Sequence, residues 1–302
     1  MDEAISDDVV GTSSSRGIVR AALVAIRPKD WIKNFFVFAP LLFGAKIDNG
    51  SAVGHAVLAA AAFCAMASAG YLVNDSLDAE YDRRHPVKKF RPIASGDLPV
   101  RAAIGLAVCL AVLGVGFGAA AGWSVAAVVA GYGVLTVAYS AGLKHQVILD
   151  VMAISGCFLL RVYGGALAVH LEASEWLLFC TGMLALLLAL TKRRQEVRRE
   201  IEEPFSTRLV LEHYPVAFLD QMVSLVTAGA LLSYGIYAIN SPLVGGRMLA
   251  TAPVVLYGLL RYLYLIYGRE DERDTAAIVA SDPGIIGALV AWVAVVVILL
   301  YV

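Results

Sequence analysis

Four side chains able to bind a metal ion stand close together in the stretch NDSLDAEYDRRHP. The three acids among them are spaced i, i+3 and i+7, so on a helix they lie on one face and converge. Carboxylate and amide oxygens are the ligands that Mg²⁺ takes, and Mg²⁺ shares its remaining sites with waters and substrate phosphates. The pattern therefore predicts a magnesium site that binds a diphosphate. Its residues are Asn74, Asp75, Asp78 and Asp82, with the three aspartates as catalytic residues.

An acidic helix end exposed to solvent is the alternative, and Glu80, which falls off the shared face, is consistent with it. We favour the metal site because the three acids stack on one face. A cationic stretch follows at once, and guanidinium and ammonium groups beside a metal suit a phosphate-rich ligand. The preference for basic residues on the cytoplasmic side of membranes also accounts for most of these charges. The candidates in this stretch are Arg83, Lys88, Lys89 and Arg91.

The composition places these residues in a membrane protein, since 59% of the chain is hydrophobic, 16% is charged and the mean hydropathy is +0.74. A spanning helix needs about 20 mostly apolar residues. Nine stretches qualify, so the predicted fold class is all-α, a polytopic membrane protein with nine transmembrane helices. The predicted spans fall near 32–48, 53–74, 101–121, 123–143, 147–169, 174–192, 216–239, 249–267 and 284–302.

The basic residues indicate the orientation of these spans. With the N-terminus inside, nearly all of the 24 Lys and Arg lie on the cytoplasmic side, and only Lys46 and Arg247 fall outside. We predict a short cytoplasmic tail, 1–26, and a single transmembrane catalytic domain, 27–302. The protein is expected in the plasma membrane as a multi-pass protein with a cytoplasmic active site, among membrane lipids and without a nucleic-acid partner.

The acid-rich stretch, extended to NDSLDAEYDRRHPVKKFRPIASG, resembles the first aspartate-rich motif, NDxxDxxxD, of the UbiA superfamily of intramembrane prenyltransferases. The nine-span layout is similar to that fold, and so are RPKDWIKN at 27–34 and YSAGLKHQVILD at 139–150. Together these features resemble the branch that makes decaprenylphosphoryl-5-phosphoribose. The similarity extends over nearly the whole chain. The resemblance implies Mg²⁺-dependent transfer of 5-phosphoribose from 5-phosphoribosyl 1-diphosphate to decaprenyl or another polyprenyl phosphate. It also implies a product used in assembling cell-wall arabinan.

One departure from the superfamily pattern bears on the substrate. Members that use a polyprenyl diphosphate typically carry a second acidic motif, DxxxD, whereas here Asp150 is followed four residues later by Ile154. Tyr139, Lys144 and His145 make this face more cationic instead, which fits a donor with an additional phosphate. The alternative is that Lys144 and His145 cap a short turn, and we favour it for His145.

Two further groups of basic residues lie at or inside predicted spans. Arg161 is within the fifth span, where a charge is costly and therefore suggests function. We place it beside an anionic substrate, with pairing to Asp150 or a helix carbonyl as the alternative. Lys192 and Arg193 begin the basic stretch that leaves the sixth span. The default interpretation of this stretch is a solvated surface that faces lipid headgroups, and these two residues, closest to the span, are its candidates for the cavity mouth. The substrate-binding candidates are Lys33, Asn74, Arg83, Lys88, Lys89, Arg91, Tyr139, Lys144, Asp150, Arg161, Lys192 and Arg193.

Two other functions compete with phosphoribosyl transfer. A prenyltransferase could move an isoprenoid from its diphosphate to an aromatic acceptor, but the incomplete second acidic motif argues against it. A transporter is expected to have polar or broken helices at mid-membrane, which gives no reason for an acid cluster at one end. The sequence leaves open the isoprenoid length, the number of magnesium ions and whether the protein forms a homo-oligomer.

Overall fold

The structure, a computed structural model, describes residues 17–202, 209–241, 243–268 and 275–301, all of them in helices, turns or irregular segments. Eight helices in these ranges are long and apolar enough to cross a membrane. The protein is therefore a multi-pass integral membrane protein, as predicted. We number these helices α1 (Gly50–Leu77), α2 (Val100–Ala121), α3 (Trp123–Ala141), α4 (Leu149–Ala168), α5 (Glu175–Glu202), α6 (Val216–Ile239), α7 (Ala252–Gly268) and α8 (Pro283–Tyr301). The seventh span reaches its full length only together with the 3₁₀ helix Gly245–Thr251, which precedes α7.

The first predicted span, near 32–48, is not a regular transmembrane helix. A 3₁₀ helix, Pro28–Phe38, is followed by a short α-helix, Ala39–Phe43, and we call the two together the first segment. Pro40 has no N–H to donate within a continuing helix, and the polar Asn34 lies in the middle of the 3₁₀ part. The predicted nine spanning α-helices are therefore corrected to eight among the described residues.

The first segment nevertheless connects the two ends of the helix bundle. At one end Arg27 is bonded to Asp75, near the end of α1, and at the other Lys46 donates to the carbonyl of Val169, just after α4. The 11 residues of the 3₁₀ helix and the 5 of the α-helix rise about 2.0 Å and 1.5 Å each, so they cover about 30 Å, the thickness of the bilayer hydrocarbon. Arg27 therefore lies at the same end of the bundle as the acid cluster.

Helix α1 packs against α2, α3, α4 and the first segment. Its many alanines favour the helix and let neighbouring backbones approach closely, and Asn49 caps its first turn by accepting two backbone N–H bonds. Helix α4 comes close through a glycine pair. A Cβ on Gly165 would lie 2.0 Å from the Val37 carbonyl oxygen, and one on Gly164 would lie 2.7 Å from the Phe63 ring. Only glycine at these positions lets α4 contact both α1 and the first segment.

The second half of the chain builds on α4. Helix α5 packs against α4 and α6, and α7 packs against α8. A core of buried residues that includes Leu187, Leu219 and Leu265 joins α5, α6 and α7. Before the first segment, residues 17–25 are helical, and Ala21 packs in a cluster with residues of α1 and α2. The boundary at residue 26 between a cytoplasmic tail and a catalytic domain stays a prediction.

Candidate active site

A cavity of about 450 Å³ lies at the end of the bundle where α1 terminates. Its walls come from α1, from α3 and the turn that follows it, from Arg27, and from the segment after α1. The first motif and the later basic residues, separated by tens of residues in the sequence, therefore meet in one place. The predicted site residues that line it are Asn74, Asp78, Asp82, Lys88, Arg91, Tyr139 and Lys144.

The three aspartates of the first motif divide between two cations. Asp75 and Asp82 both accept from Nη1 of Arg91, at 3.1 and 2.7 Å. Asp78 instead accepts from Nζ of Lys144 at 2.6 Å, and Lys144 also reaches the Asn74 amide oxygen at 3.3 Å. The helical spacing predicted convergence on one point. Helix α1 ends at Leu77, however, and a separate short helix, Ala79–Arg84, begins after Asp78. Asp78 therefore has a different cationic partner from Asp75 and Asp82.

Arg27 is a site residue that the sequence analysis did not single out. Its guanidinium donates to both carboxylate oxygens of Asp75, at 2.8 and 2.6 Å, and lies 4.9 Å from the centre of the Tyr71 ring. Asp75 is only 4% exposed, so it does not line the cavity but holds two arginines, Arg27 and Arg91, at its wall. The available signal was a basic residue at the start of the stretch RPKDWIKN.

The donor set of the cavity fits a magnesium ion. Among the described residues, no three His, Cys, Asp or Glu side chains form a group that could hold a metal by themselves. The cavity does present oxygens of Asn74, Asp78 and Asp82. Mg²⁺ keeps several waters and shares sites with substrate phosphates, so one or two protein carboxylates are enough. Asp75 does not line the cavity and is paired with Arg27 and Arg91. Asp78 and Asp82 are also paired with cations, Lys144 and Arg91, so a metal ion would share these carboxylates with them.

The turn between α3 and α4 carries Lys144, which is 4% exposed. Ile148 in this turn has a φ of 71°, a left-handed conformation that β-branched residues rarely adopt. Its N–H donates to the Tyr214 hydroxyl at 2.6 Å, and Tyr214 donates in turn to Asp150 at 2.6 Å. Burial and the neighbouring Asp150 raise the pKa of Tyr214 well above its usual range, so the phenol keeps its proton. This chain of bonds holds the turn in its strained form.

Asp150 and Arg193 lie behind the cavity rather than in it. Asp150 is completely buried and accepts from Nε of Arg193 at 2.5 Å. Arg193 also bonds Glu196, and its Nη2 lies 3.3 Å from the hydroxyl of Tyr139, which does line the cavity. Lys192 is exposed on α5 and is not part of the cavity lining. Asp150 and Arg193, each predicted to bind substrate, therefore meet the cavity only through Tyr139.

Arg161 is likewise behind the wall. It is 3% exposed and donates to the Asn34 side chain at 2.7 Å, to the Cys157 carbonyl at 2.9 Å and to the Tyr132 hydroxyl at 2.8 Å. The rings of Tyr132 and Phe158 lie 4.8 and 5.1 Å from its guanidinium carbon. Tyr132 lines the cavity floor, so Arg161 can act on a ligand there only by orienting this tyrosine.

A sequence profile of the UbiA prenyltransferase family matches residues 35–281 of this chain. The chain belongs to the UbiA prenyltransferase family. The decaprenyl-phosphate phosphoribosyltransferase of Corynebacterium glutamicum is 36% identical to it over 74% of this chain and 69% of the relative. The enzyme of the same name from Mycobacterium tuberculosis is 32% identical over 85% of this chain and 87% of the relative.

A solved structure supports the fold of this UbiA-family protein. The UbiA homologue from Archaeoglobus fulgidus bound to GPP and Mg²⁺ matches 93% of this chain and 100% of that chain with a TM-score of 0.71. Sequence identity is 17%, so this likeness shows the fold alone. The eight long helices are therefore arranged as in other members of the family.

Besides Arg161, Lys192 and Arg193, three more predicted basic residues of this UbiA-family protein do not line the cavity. Lys33 forms an ion pair with Asp30 at 2.6 Å. Arg83 donates to the carbonyl of Ala94 at 3.3 Å, and the Lys89 ammonium lies 5.1 Å from the centre of the Phe90 ring. These contacts hold the first segment and the loop after α1. Lys88 and Arg91, from the same loop, do reach the cavity.

A neutral histidine positions the loop that carries Lys88 and Arg91. Nδ1 of His85 accepts from the backbone N–H groups of Val87 and Lys88, at 3.1 and 3.2 Å. Burial, and then the nearby Lys88, lower the pKa of His85 below its usual range. The imidazole is therefore neutral near pH 7 and can accept both bonds.

The sequence analysis also missed polar residues of α3 that line the cavity beside Tyr139. They are Tyr132, Thr136 and Ser140. With Tyr139 they fall at i, i+4, i+7 and i+8, which places them on one face of an otherwise apolar helix. That spacing was the signal, and it is weak because isolated hydroxyls are common in membrane helices.

Proposed function

We propose that this protein transfers 5-phosphoribose from 5-phosphoribosyl 1-diphosphate to decaprenyl or another polyprenyl phosphate and releases diphosphate. It is then a magnesium-dependent phosphoribosyltransferase whose product serves cell-wall arabinan assembly. The names of the relatives, which align over most of this chain, support the proposal.

One observation carries the proposal: among the residues that the structure describes, more cations than carboxylates line the cavity. A phosphoribosyl donor brings a diphosphate and a 5-phosphate, and a polyprenyl phosphate brings another phosphate, so fixed cations are needed in addition to a metal. A prenyl diphosphate with an aromatic acid brings fewer phosphate groups and therefore requires fewer fixed cations. The lining cations are Arg27, Lys88, Arg91 and Lys144, and the lining carboxylates are Asp78 and Asp82.

The reaction exchanges one bond at C1 of the ribose for another. The bond from C1 to the diphosphate oxygen breaks, and the diphosphate leaves with the electron pair. An oxygen of the polyprenyl phosphate then forms the new bond to C1. This oxygen is already anionic, so no general base is required. Holding both substrates in one cavity supplies much of the rate.

The residues of the cavity stabilise the charge that develops on the leaving group. Asn74, Asp78 and Asp82 would hold Mg²⁺, which neutralises negative charge on the diphosphate. Lys144 and Arg91 keep the two carboxylates in place and have further N–H groups to donate to phosphate oxygens. Tyr139 is placed to orient the ribose.

The cavity faces the cytoplasm in this proposal. The loops at its end of the bundle carry most of the basic residues, as expected for the cytoplasmic side. The sugar phosphate would enter from water. The isoprenoid tail would stay along apolar helices, which avoids the free-energy cost of exposing it to water.

The test uses protein purified in detergent with 5-phosphoribosyl 1-diphosphate labelled in the ribose, decaprenyl phosphate and Mg²⁺. We expect label in the organic phase, and we expect its loss when Mg²⁺ is chelated or when Asp78→Asn is used. Asp97→Asn is the matched control, since Asp97 is exposed and bonds Ser95 away from the cavity.

Two results would reject the proposal. Turnover of a polyprenyl diphosphate with an aromatic acid, without labelled lipid from the ribose donor, would make the protein a prenyltransferase. Uptake of an unchanged solute by proteoliposomes, without product in either assay, would make it a transporter.

A further inference from the structure

Helix α3 contributes two hydroxyl groups to the cavity whose hydrogens are already used. The Thr136 hydroxyl donates to the carbonyl of Gly133 at 2.8 Å, and the Ser140 hydroxyl donates to the carbonyl of Thr136 at 2.9 Å. A hydroxyl has one hydrogen and two lone pairs. Towards the cavity, each of these side chains can therefore only accept a hydrogen bond.

The charged part of the lining has the opposite character. Arg27, Lys88, Arg91 and Lys144 are donors, and the lining carboxylates are paired, Asp82 with Arg91 and Asp78 with Lys144. The Asn74 amide oxygen also accepts from Lys144. In the part of the cavity lining that the structure describes, Thr136 and Ser140 are thus neutral acceptors beside the cations. Phosphate oxygens have no hydrogen to offer them.

The spacing of the two acceptors suits a pair of neighbouring ligand hydroxyls. Thr136 and Ser140 are four residues apart on α3, about one turn or 6 Å along the helix. Two vicinal hydroxyls can each reach one acceptor over this separation with bonds of about 2.8 Å. Gly70 on α1 also lines the cavity, and an added Cβ there would lie 3.2 Å from the Thr136 hydroxyl oxygen, so only glycine leaves this hydroxyl uncrowded.

Tyr132, one turn deeper on α3, completes the face. Its oxygen accepts from Arg161 at 2.8 Å, so its own hydrogen is left to donate. The face therefore combines acceptors with a donor, and a sugar hydroxyl is both. An isoprenoid chain has neither function.

We infer that Thr136 and Ser140 bind the ribose hydroxyls of the donor and make the site selective for a ribosyl over a deoxyribosyl diphosphate. The inference rests on the proposed function and names the surface that recognises the sugar, whereas the cations and the metal recognise the phosphates. A deoxyribosyl donor leaves one acceptor without its partner, and such a site rejects the analogue because a desolvated polar group is left unpaired.

The experiment compares 5-phosphoribosyl 1-diphosphate with its 2-deoxy and 3-deoxy analogues, using decaprenyl phosphate as acceptor. For the wild-type protein we expect kcat/KM to be about tenfold lower with at least one deoxy donor. Thr136→Val keeps the shape and removes the acceptor. It should lower kcat/KM for the ribosyl donor by a similar factor and leave the deoxy donor nearly unchanged, so that selectivity is lost. Ser140→Ala should act in the same way on the other hydroxyl.

Two variants control for the substitution itself. Thr136→Ser keeps the hydroxyl and should keep the selectivity. Thr227→Val removes a hydroxyl that is bonded to the Val223 carbonyl on α6, away from the cavity, and should change neither kcat/KM nor selectivity. If Thr136→Val is inactive with every donor, the selectivity for the ribosyl donor is compared between Ser140→Ala, which should lose it, and Thr136→Ser, which should keep it. Equal selectivity in these two variants would overturn the inference.

The outcomes separate the inference from the proposed function. Labelled lipid from the wild-type protein with equal kcat/KM for all three donors would overturn the inference and leave the proposed function intact. Unchanged selectivity in both Thr136→Val and Ser140→Ala would do the same. Absence of labelled lipid with every donor would reject the proposed function and the inference with it.

Discussion

Asp75 shows how a residue of the first acidic motif can serve the site without lining it. It is 4% exposed and accepts from Arg27 and Arg91, which are held at the cavity wall by this carboxylate. Removing one partner of such a buried ion pair leaves a charge without compensation, which costs far more than the pair contributes. Asp75 therefore serves the cavity by positioning the guanidinium groups of Arg27 and Arg91.

At the residue scale, we predict that Arg27→Ala lowers kcat/KM by about 10- to 100-fold, since a hydrogen bond to a charged group contributes about 1.5–3 kcal/mol. Arg27→Lys should recover only part of this, because lysine lacks the planar guanidinium that lies 4.9 Å from the centre of the Tyr71 ring. Steady-state kinetics of labelled-lipid formation measures the effect. Lys29→Ala is the control, since Lys29 is exposed and does not line the cavity. Wild-type kinetics for Arg27→Ala would exclude a role for this guanidinium.

At the scale of elements, the turn between α3 and α4 is held by a residue from a distant part of the chain. Ile148 keeps its left-handed backbone because Tyr214, from the segment between α5 and α6, accepts from its N–H. Tyr214 is fixed in turn by Asp150 at the start of α4. Since strained backbone persists only where surrounding contacts enforce it, this network determines where Lys144 lies.

We predict that Tyr214→Phe raises KM for the ribosyl donor several-fold and changes kcat less, because the turn relaxes and Lys144 leaves its place beside Asp78. The measurement is the separation of KM from kcat in the labelled-lipid assay, with Tyr257→Phe, an exposed tyrosine of α7, as control. A loss of kcat at unchanged KM would contradict a positioning role.

The stabilising effect of Tyr214 also has an expected pH dependence. The pKa of Tyr214 in the fold is raised, by burial first and then by Asp150. Because the bond to Asp150 needs the phenolic hydrogen, its contribution is complete below the ordinary pKa of tyrosine, about 10. It is lost only as the pH rises through the raised value. The difference in melting temperature between wild type and Tyr214→Phe should therefore be constant from pH 6 to pH 9.

At the scale of the whole molecule, α8 is joined to α7 by one ion pair at its first turn. Arg261 donates to both oxygens of Asp282, and Asp282 also accepts from the N–H of Ile285, which caps α8. The Arg261 guanidinium lowers the pKa of Asp282 to about 2. The carboxylate therefore stays ionised at neutral and moderately acidic pH, and this contribution is lost only as the pH falls towards that value.

We predict that Asp282→Ala lowers the melting temperature of the detergent-solubilised protein at neutral pH, because α8 loses its cap and its tie to α7. Neither Asp282 nor Arg261 lines the cavity, so kcat and KM at a temperature below unfolding should stay as in the wild type. A change in kinetics without a change in melting temperature would contradict this assignment. Asp97→Asn, an exposed carboxylate variant, serves as control in the melting experiment.

Orientation is also a property of the whole molecule. The cavity end of the bundle should face the cytoplasm, and the end at Asn49 should face outside. In a variant without the four native cysteines, Ser51→Cys should react with a membrane-impermeant maleimide on intact cells. Ser95→Cys, at the cavity end, should react only after the membrane is opened. The reverse labelling pattern would place the cavity outside and contradict the proposed cytoplasmic donor.

The sequence by itself determined the class of protein, the number of long helices to within one and the family. Hydropathy is a sum over about 20 neighbouring residues, so local composition is enough to locate a membrane helix. The aspartate motif was equally local, but its predicted convergence on one point does not extend to Asp75, which is absent from the cavity lining that includes Asn74, Asp78 and Asp82. The exception was the first segment, where apolar residues continue but form a 3₁₀ helix, and the α-helix that follows, with Pro40 in its first turn, has only 5 residues.

Only the tertiary structure decided which charges meet. Arg27 and Asp75 are separated by 48 residues, and Lys144 and Asp78 by 66. Asp150 and Arg161 have the residue types of a substrate site, yet both are enclosed by partners from other helices. The physical reason is that hydropathy and helical periodicity report on one helix at a time. Whether a charged side chain faces the cavity or a neighbouring helix depends on how the helices pack together.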